Sequence, residues 1–178
     1  RALQASDSLY ARSMVKHRSA LERIPAYKQG AMPSTSDVVK LSSNENPFPP
    51  LASVREAVAG ELERIHLYPS MAAPELTARI AKLQGVEPEN IVFGAGSVEV
   101  ATQLVQASAG DGDEVMFAWR SFEAYPIIAI GAGATPVQVP LTADERHDLD
   151  AMADAITDRT AIIFVCNPNN PTGATLTH

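Results

Sequence analysis

From Ser53 to Val165 the chain alternates between two hydrophobic periods, and that alternation limits the folds open to it. Val54, Val58, Leu62 and Ile65 recur at helical spacing, and Ser53 with Glu56 three residues on has the form of a capping box. Pro74 at a helix start and Gly85 past its end bracket Leu76, Ile80 and Leu83. Ile91-Val92-Phe93 has the character of a strand. Ser97 to Ala109 reads as a helix with Val100, Ala101, Leu104 and Val105 on its buried side, closed by Gly110. Strands are then expected at Val115-Met116-Phe117, Val137-Gln138-Val139 and Thr160–Val165, with helices at Phe122–Ile130, despite Pro126, and at Leu149–Ile156. Strands that alternate with helices imply right-handed crossovers and a mostly parallel sheet, hence an α/β class.

Residues 1–24 are polar and of mixed charge, with Leu9, Met14, Val15, Leu21 and Ile24 on one helical side, and they read as an N-terminal arm. Pro25, Pro33, Pro47, Pro49 and Pro50 make residues 25–50 an extended connector, in which Val38-Val39-Lys40-Leu41 is a candidate short strand. The expected division is therefore 1–50, arm and connector, and 51–178, the α/β part. A length of 178 residues suffices for a sizeable core, and 46% hydrophobic with 20% charged residues is an ordinary globular composition. The net charge of −7 shows no basic face and argues against nucleic acid as a partner. Cys166 is the sole cysteine, so no internal disulfide can form and a reducing compartment fits. No apolar stretch is long enough to span a bilayer, and the N-terminus lacks the apolar core of a signal peptide, which makes the cytoplasm the default.

The apolar run Ala161–Val165 ends in Cys166-Asn167-Pro168-Asn169-Asn170-Pro171-Thr172-Gly173. Two prolines cannot extend a ladder, so the strand stops there. In open α/β sheets the carboxyl ends of strands face the ligand crevice. The segment is either a strand-ending turn with Asx capping or a set of amides presented to a ligand. Gly94-Ala95-Gly96-Ser97-Val98-Glu99, between a strand and a helix, is either a plain turn with Ser97 as N-cap or a phosphate cradle at a helix N-terminus. Glu99 stands where a dinucleotide fingerprint needs its third glycine, and no Gly-Lys-Ser/Thr is present, so neither common nucleotide motif applies. Trp119–Pro126 follows a strand and offers aromatic rings either to a planar ligand or to the core. Tyr68-Pro69 and Asn44-Glu45-Asn46-Pro47 lie in loops, where packed surface or solvated turns are the alternatives to site residues.

Taken together, in this order and spacing, Asn44–Pro47, Tyr68-Pro69, Gly94–Ser97 and Asn167–Gly173 resemble the pyridoxal-phosphate aminotransferases of fold type I, in particular the histidinol-phosphate aminotransferase group. Trp119–Pro126, Val139–Thr142 and Phe164–Cys166 make the chain more similar to the actinobacterial aromatic amino acid (phenylalanine) aminotransferases of that group. The resemblance covers residues from about 20 to the end. It implies a partial large domain with a mostly parallel sheet and flanking helices, preceded by an arm that contributes to the small domain and the dimer contact. It implies pyridoxal 5'-phosphate as cofactor, an amino acid and a 2-oxo acid (2-oxoglutarate) as substrates, and a homodimer with a shared active site. It implies no metal. Asn170 would donate to the phenolic oxygen of the cofactor. The N–H groups of Ser97 and Val98 and the Ser97 hydroxyl would hold the phosphate. Phe122 would stack on the ring where relatives often have Tyr, without a hydroxyl to donate. Tyr68 would reach the cofactor phosphate of the neighbouring subunit, and Asn44 and Glu45 would line the substrate entrance. Of Lys16, Lys28, Lys40 and Lys82, none suits the Schiff base, so the catalytic lysine is expected after His178 and the chain is expected to be the N-terminal part of the enzyme. Histidinol phosphate as substrate, a decarboxylase of the same fold, a non-catalytic cofactor-binding module and a generic nucleotide-binding domain are the competing readings.

Overall fold

The computed structural model describes residues 18–24, 35, 40 and 42–177. They belong to two units, one made of Arg1–Pro25 with Phe93–His178 and the other of Ala26–Val92.

In the second unit, α1 spans Ala52–Glu61 and continues into a 3-10 turn at Leu62–Arg64, and α2 spans Pro74–Gln84. Pro74 stands in the first turn of α2, where a missing N–H costs nothing, and Gly85 ends the helix at φ 69°. The expected capping box is not formed. Pro49 and Pro50 deliver the chain in an extended path, Leu51 becomes the N-cap, and Ser53 falls inside the first turn with no capping bond. The stripe Val54, Val58, Leu62 and Ile65 is exposed. Val38–Leu41 lies outside the described residues apart from Lys40. Ile91–Phe93 runs without a strand, because a strand needs a neighbour to share its ladder and none among the described residues pairs with it.

In the first unit, α3 (Ser97–Ser108) leads to β1 (Glu114–Trp119), α4 (Ala124–Ala132), β2 (Thr135–Pro140), α5 (Leu149–Asp154) and β3 (Thr160–Phe164). The order of the sheet is β2-β1-β3 and both pairings are parallel, as the alternation requires. Phe117 stands opposite Gln138 on one side and Phe164 on the other. β1 is central, and Val115 to Ala118 are wholly buried. Side chains alternate across a strand. Val115 and Phe117 thus join Val105 of α3 and Ile128 and Ala129 of α4, while Met116 and Ala118 join Met152 of α5 and Val139 of β2. Both faces of β1 are covered, which is why Val115–Trp119 is an unbroken apolar run.

Pro126 does not break α4, because it is the third residue of that helix and its nitrogen would have no intrahelical acceptor. Gly133 ends α4 at φ 95°, and the Gly131 and Ala132 carbonyls accept from the Arg18 guanidinium at 3.1 and 2.9 Å. A β-carbon at Gly133 would stand 2.2 Å from Arg18 Nη2. Gly133→Ala is therefore expected to cost more than about 1 kcal/mol, measured by urea unfolding, through the left-handed backbone and the displaced arginine together.

At the start of β1, Glu114 is buried and satisfied. It accepts from Thr157 Oγ1 at 2.7 Å, Arg159 Nε at 3.0 Å and Thr160 Oγ1 at 3.3 Å. The Thr157 hydroxyl and then the Arg159 guanidinium hold its pKa below the ordinary 4.5, against the opposing effect of burial. A carboxylate whose folded pKa is depressed stabilises the fold above its unfolded pKa and loses that contribution as pH falls through the folded value. The stability gap between the native protein and Glu114→Gln is accordingly expected to be full at neutral pH and to shrink as the pH drops below about 4.5. Denaturant titrations at a series of pH values read this directly, and a gap that widens toward acid would contradict it.

Candidate functional site

A tight turn joins α3 to β1. The Gly110 N–H donates to Asp113 Oδ2 at 2.9 Å and the Asp113 N–H to the Gly110 carbonyl at 3.2 Å. The chain reverses there, and Val105 packs on Val115 and Phe117, so α3 runs back along β1. Twelve helical residues cover about 18 Å and six strand residues about 20 Å. The N-terminus of α3 therefore lies toward the carboxyl ends of the strands, where the segment after β1 and the turn after β3 also begin.

That helix start is built by glycine. Gly94 packs so closely that a β-carbon on it would come within 3.0 Å of the Val100 nitrogen. Gly96, at φ 86°, is the N-cap, and Ser97 is the first helical residue, so Ser97 is not the cap of a plain turn. The Ala95 N–H donates to the Glu99 carboxylate, which folds the loop over the first turn. Ser97 and Val98 are exposed, and their N–H groups, in the first turn, have no intrahelical acceptor. Two outward donors at the positive end of a helix suit an anion.

The turn after β3 is organised by Asn169. Its side chain is 3% exposed. Its Nδ2 donates to the Arg120 carbonyl and to Thr172 Oγ1, each at 3.1 Å, and its Oδ1 lies 3.2 Å from His147 Nε2. Its own N–H donates to the Ala174 carbonyl at 2.8 Å, and its carbonyl accepts from the Gly173 N–H at 2.7 Å. Asn167 exchanges hydrogen bonds with the Leu176 backbone at 3.0 and 3.3 Å. Asn167 and Asn169 thus shape the turn, and Asn170, half-buried, is carried between them and Thr172.

The bond from Asn169 to the Arg120 carbonyl ties the turn to the segment that carries Phe122. The half-buried Phe122 ring meets Tyr125 edge-on, with centroids 5.6 Å apart. Tyr125 in turn stacks on Phe164 at 4.5 Å. Burial, with the neighbouring Cys166, pushes the Tyr125 hydroxyl up to about 12, so it stays neutral across the physiological range. The Cys166 thiol is 3.5 Å from the Pro168 carbonyl. The Arg120 guanidinium pairs with Glu123 and lies 5.5 Å from the centre of the Trp119 ring.

Ser97, Val98, Phe122 and Asn170 thus stand in one unit, at one end of its sheet. Tyr68, Asn44 and Glu45 belong to the other unit. Tyr68 is 90% exposed in the loop before α2. Asn44 ends a short 3-10 turn, at φ 51°, and Glu45 pairs with Lys40. Sequence reasoning did not find His147. Its contact spans distant segments, His147 and Asn169 being 22 residues apart, and no spacing rule signals it.

Residues 36–178 match the family of class I and II aminotransferases. An aromatic amino acid aminotransferase of Cutibacterium acnes is 60% identical over 159 residues, covering 89% of this chain and 45% of that protein. Among solved structures, an aromatic aminotransferase from Pyrococcus horikoshii is similar with a TM-score of 0.70 at 28% identity, over 80% of this chain and 41% of its own. A histidinol-phosphate aminotransferase from Sinorhizobium meliloti, in complex with pyridoxal-5'-phosphate, is similar with a TM-score of 0.67 at 27% identity, over 72% and 35%. The chain thus spans less than half the length of the relatives it matches. The three parallel strands among its described residues, with the flanking helices, are part of the fold type I architecture. On the match over residues 36–178, the chain belongs to the class I and II aminotransferases.

Proposed function

We propose that the protein carrying this chain is a pyridoxal-phosphate-dependent aminotransferase that moves the amino group of an aromatic amino acid to a 2-oxo acid, with 2-oxoglutarate as acceptor. It works as a homodimer in the cytoplasm. The observation that carries this reading is the end of the sheet at which a helix N-terminus, an aromatic ring and a hydrogen-bonded asparagine turn all begin. The 60% identity to an aromatic amino acid aminotransferase supports the substrate class.

The donor set fits the cofactor. The Ser97 and Val98 N–H groups and the Ser97 hydroxyl suit a phosphate dianion and need no lysine to do so. The Asn170 amide donates to a phenolic oxygen, and the Phe122 face covers an aromatic ring. When bound, pyridoxal phosphate supplies the electron sink for charge that develops at the substrate α-carbon. The residues of this chain orient and enclose: the α3 N-terminus fixes the phosphate end, Asn170 the oxygen edge and Phe122 one face. Tyr68 reaches the phosphate of the neighbouring subunit, and Asn44 and Glu45 line the entrance.

A phosphate-bearing substrate such as histidinol phosphate would call for an additional cation. Arg120, a cation in the segment that carries Phe122, is engaged with Glu123 and Trp119, and Lys40 with Glu45. The test is amino transfer to 2-oxoglutarate, followed as glutamate formed. Phenylalanine is expected to support turnover where histidinol phosphate does not. The reverse order would replace the substrate assignment, and no turnover with either would favour a non-catalytic binding module.

A further inference from the structure

His147 is buried, 4% exposed, in the connection between β2 and α5, where it faces Leu141 in an isolated antiparallel bridge. Its Nε2 lies 3.2 Å from Asn169 Oδ1. The orientation of that amide is fixed from its other end, because Nδ2 faces the Arg120 carbonyl, which can only accept. Oδ1 is then an acceptor as well, and the proton between the two side chains must sit on Nε2. His147 is the donor. In the neutral ring this leaves Nδ1 as a buried acceptor, and it has no hydrogen-bond partner among the described residues. An unpartnered buried acceptor is costly. A leucine would fill the same space without that cost, and what leucine cannot supply is the N–H.

We propose that His147 is a positioning residue for the cofactor contact of Asn170, acting through the amide of Asn169. The Asn169 side chain is where three segments meet. It holds the loop after β1 by the Arg120 carbonyl, the β2–α5 connection by His147, and its own turn by Thr172 Oγ1, which donates onward to the Glu145 carbonyl at 3.2 Å. An amide rotated by half a turn would set Oδ1 against the Arg120 carbonyl, two acceptors face to face. The carbonyl thus selects the orientation, and the imidazole N–H satisfies the oxygen that this orientation leaves buried. Without the imidazole, Oδ1 is left buried and unpaired, and the clasp between the Asn170 turn and the Phe122 segment loses one of its supports. The proposal rests on the reading of Asn170 and Phe122 as cofactor contacts.

The test is a double-mutant cycle on the protein that carries this chain, with pyridoxal phosphate affinity read by absorbance titration and melting of the cofactor-free form read alongside. His147→Leu is expected to weaken cofactor binding about tenfold when Asn170 is present, and to add nothing in the Asn170→Ala background. His147→Gln, which keeps an N–H donor at that depth, is expected to stay within about threefold of the native affinity. If the leucine variant does not fold, His147→Ala gives the same comparison. Equal weakening in both backgrounds, or a lower melting temperature of the cofactor-free form with unchanged affinity, would overturn the proposal. Native protein that takes up no cofactor would overturn the cofactor reading and this proposal with it, whereas native binding with additive variants would overturn this proposal alone.

Discussion

Phe117→Ala is expected to lower the unfolding free energy by about 3–5 kcal/mol. Phe117 is at 0% exposure in the central strand. Its ring meets Trp119 at 6.0 Å and Tyr125 at 5.6 Å, and it packs among Val105, Val115, Ile128 and Ala129. Strand backbone lies on both sides of it and two helices lie above, so the surrounding atoms can close little of the space left by the ring. Tyr125 is also a neighbour of Phe122 and Phe164, so the damage should spread toward the segment after β1. Equilibrium unfolding in guanidinium measures the loss. Val98→Ala, on an exposed helix start, is the contrast and is expected within about 0.5 kcal/mol of the native value. A loss under about 1 kcal/mol for Phe117→Ala would mean that β1 is not the centre of the core.

Asn170→Ala is expected to weaken pyridoxal phosphate binding by about 10–100-fold, the range for loss of a hydrogen bond to a charged or strongly polarised oxygen. It should also shift the visible absorbance of the bound cofactor, since in the proposed reading the lost donor faces its ring oxygen. Asn169→Ala separates the two asparagines by kind. It strips the bonds to Arg120, Thr172 and His147 together, so stability and cofactor affinity are expected to fall together. Loss of affinity in Asn169→Ala with full affinity in Asn170→Ala would contradict the assignment of the cofactor contact to Asn170.

Much of the first unit can be read from its sequence because its signals are local. The run Val115–Ala118 announces a strand buried on both faces. Gly110 marks a helix end, and Pro126 is harmless because of where it falls in its helix. Ile91–Phe93 shows the limit of that reasoning: apolar character raises the expectation of a strand, but only a neighbouring ladder makes one. The capping box at Ser53 fails for a related reason, since the prolines before it decide where the helix begins. At the candidate site, glycine and asparagine at a strand end are visible in the sequence. His147 is not. Its meaning depends on a single hydrogen bond across 22 residues, and a histidine between Arg146 and Asp148 looks like one more solvated side chain until its burial is known.

The most direct test of the central claim is optical. The protein that carries this chain, loaded with pyridoxal phosphate, is mixed with phenylalanine in the absence of any oxo acid, and the visible band of the bound cofactor is followed. Bleaching of the band with release of one phenylpyruvate per site, and its return on addition of 2-oxoglutarate, is the result expected of an aromatic amino acid aminotransferase. A band that phenylalanine leaves unchanged while histidinol phosphate bleaches it would contradict the substrate assignment, and a protein that never acquires the band would contradict the function.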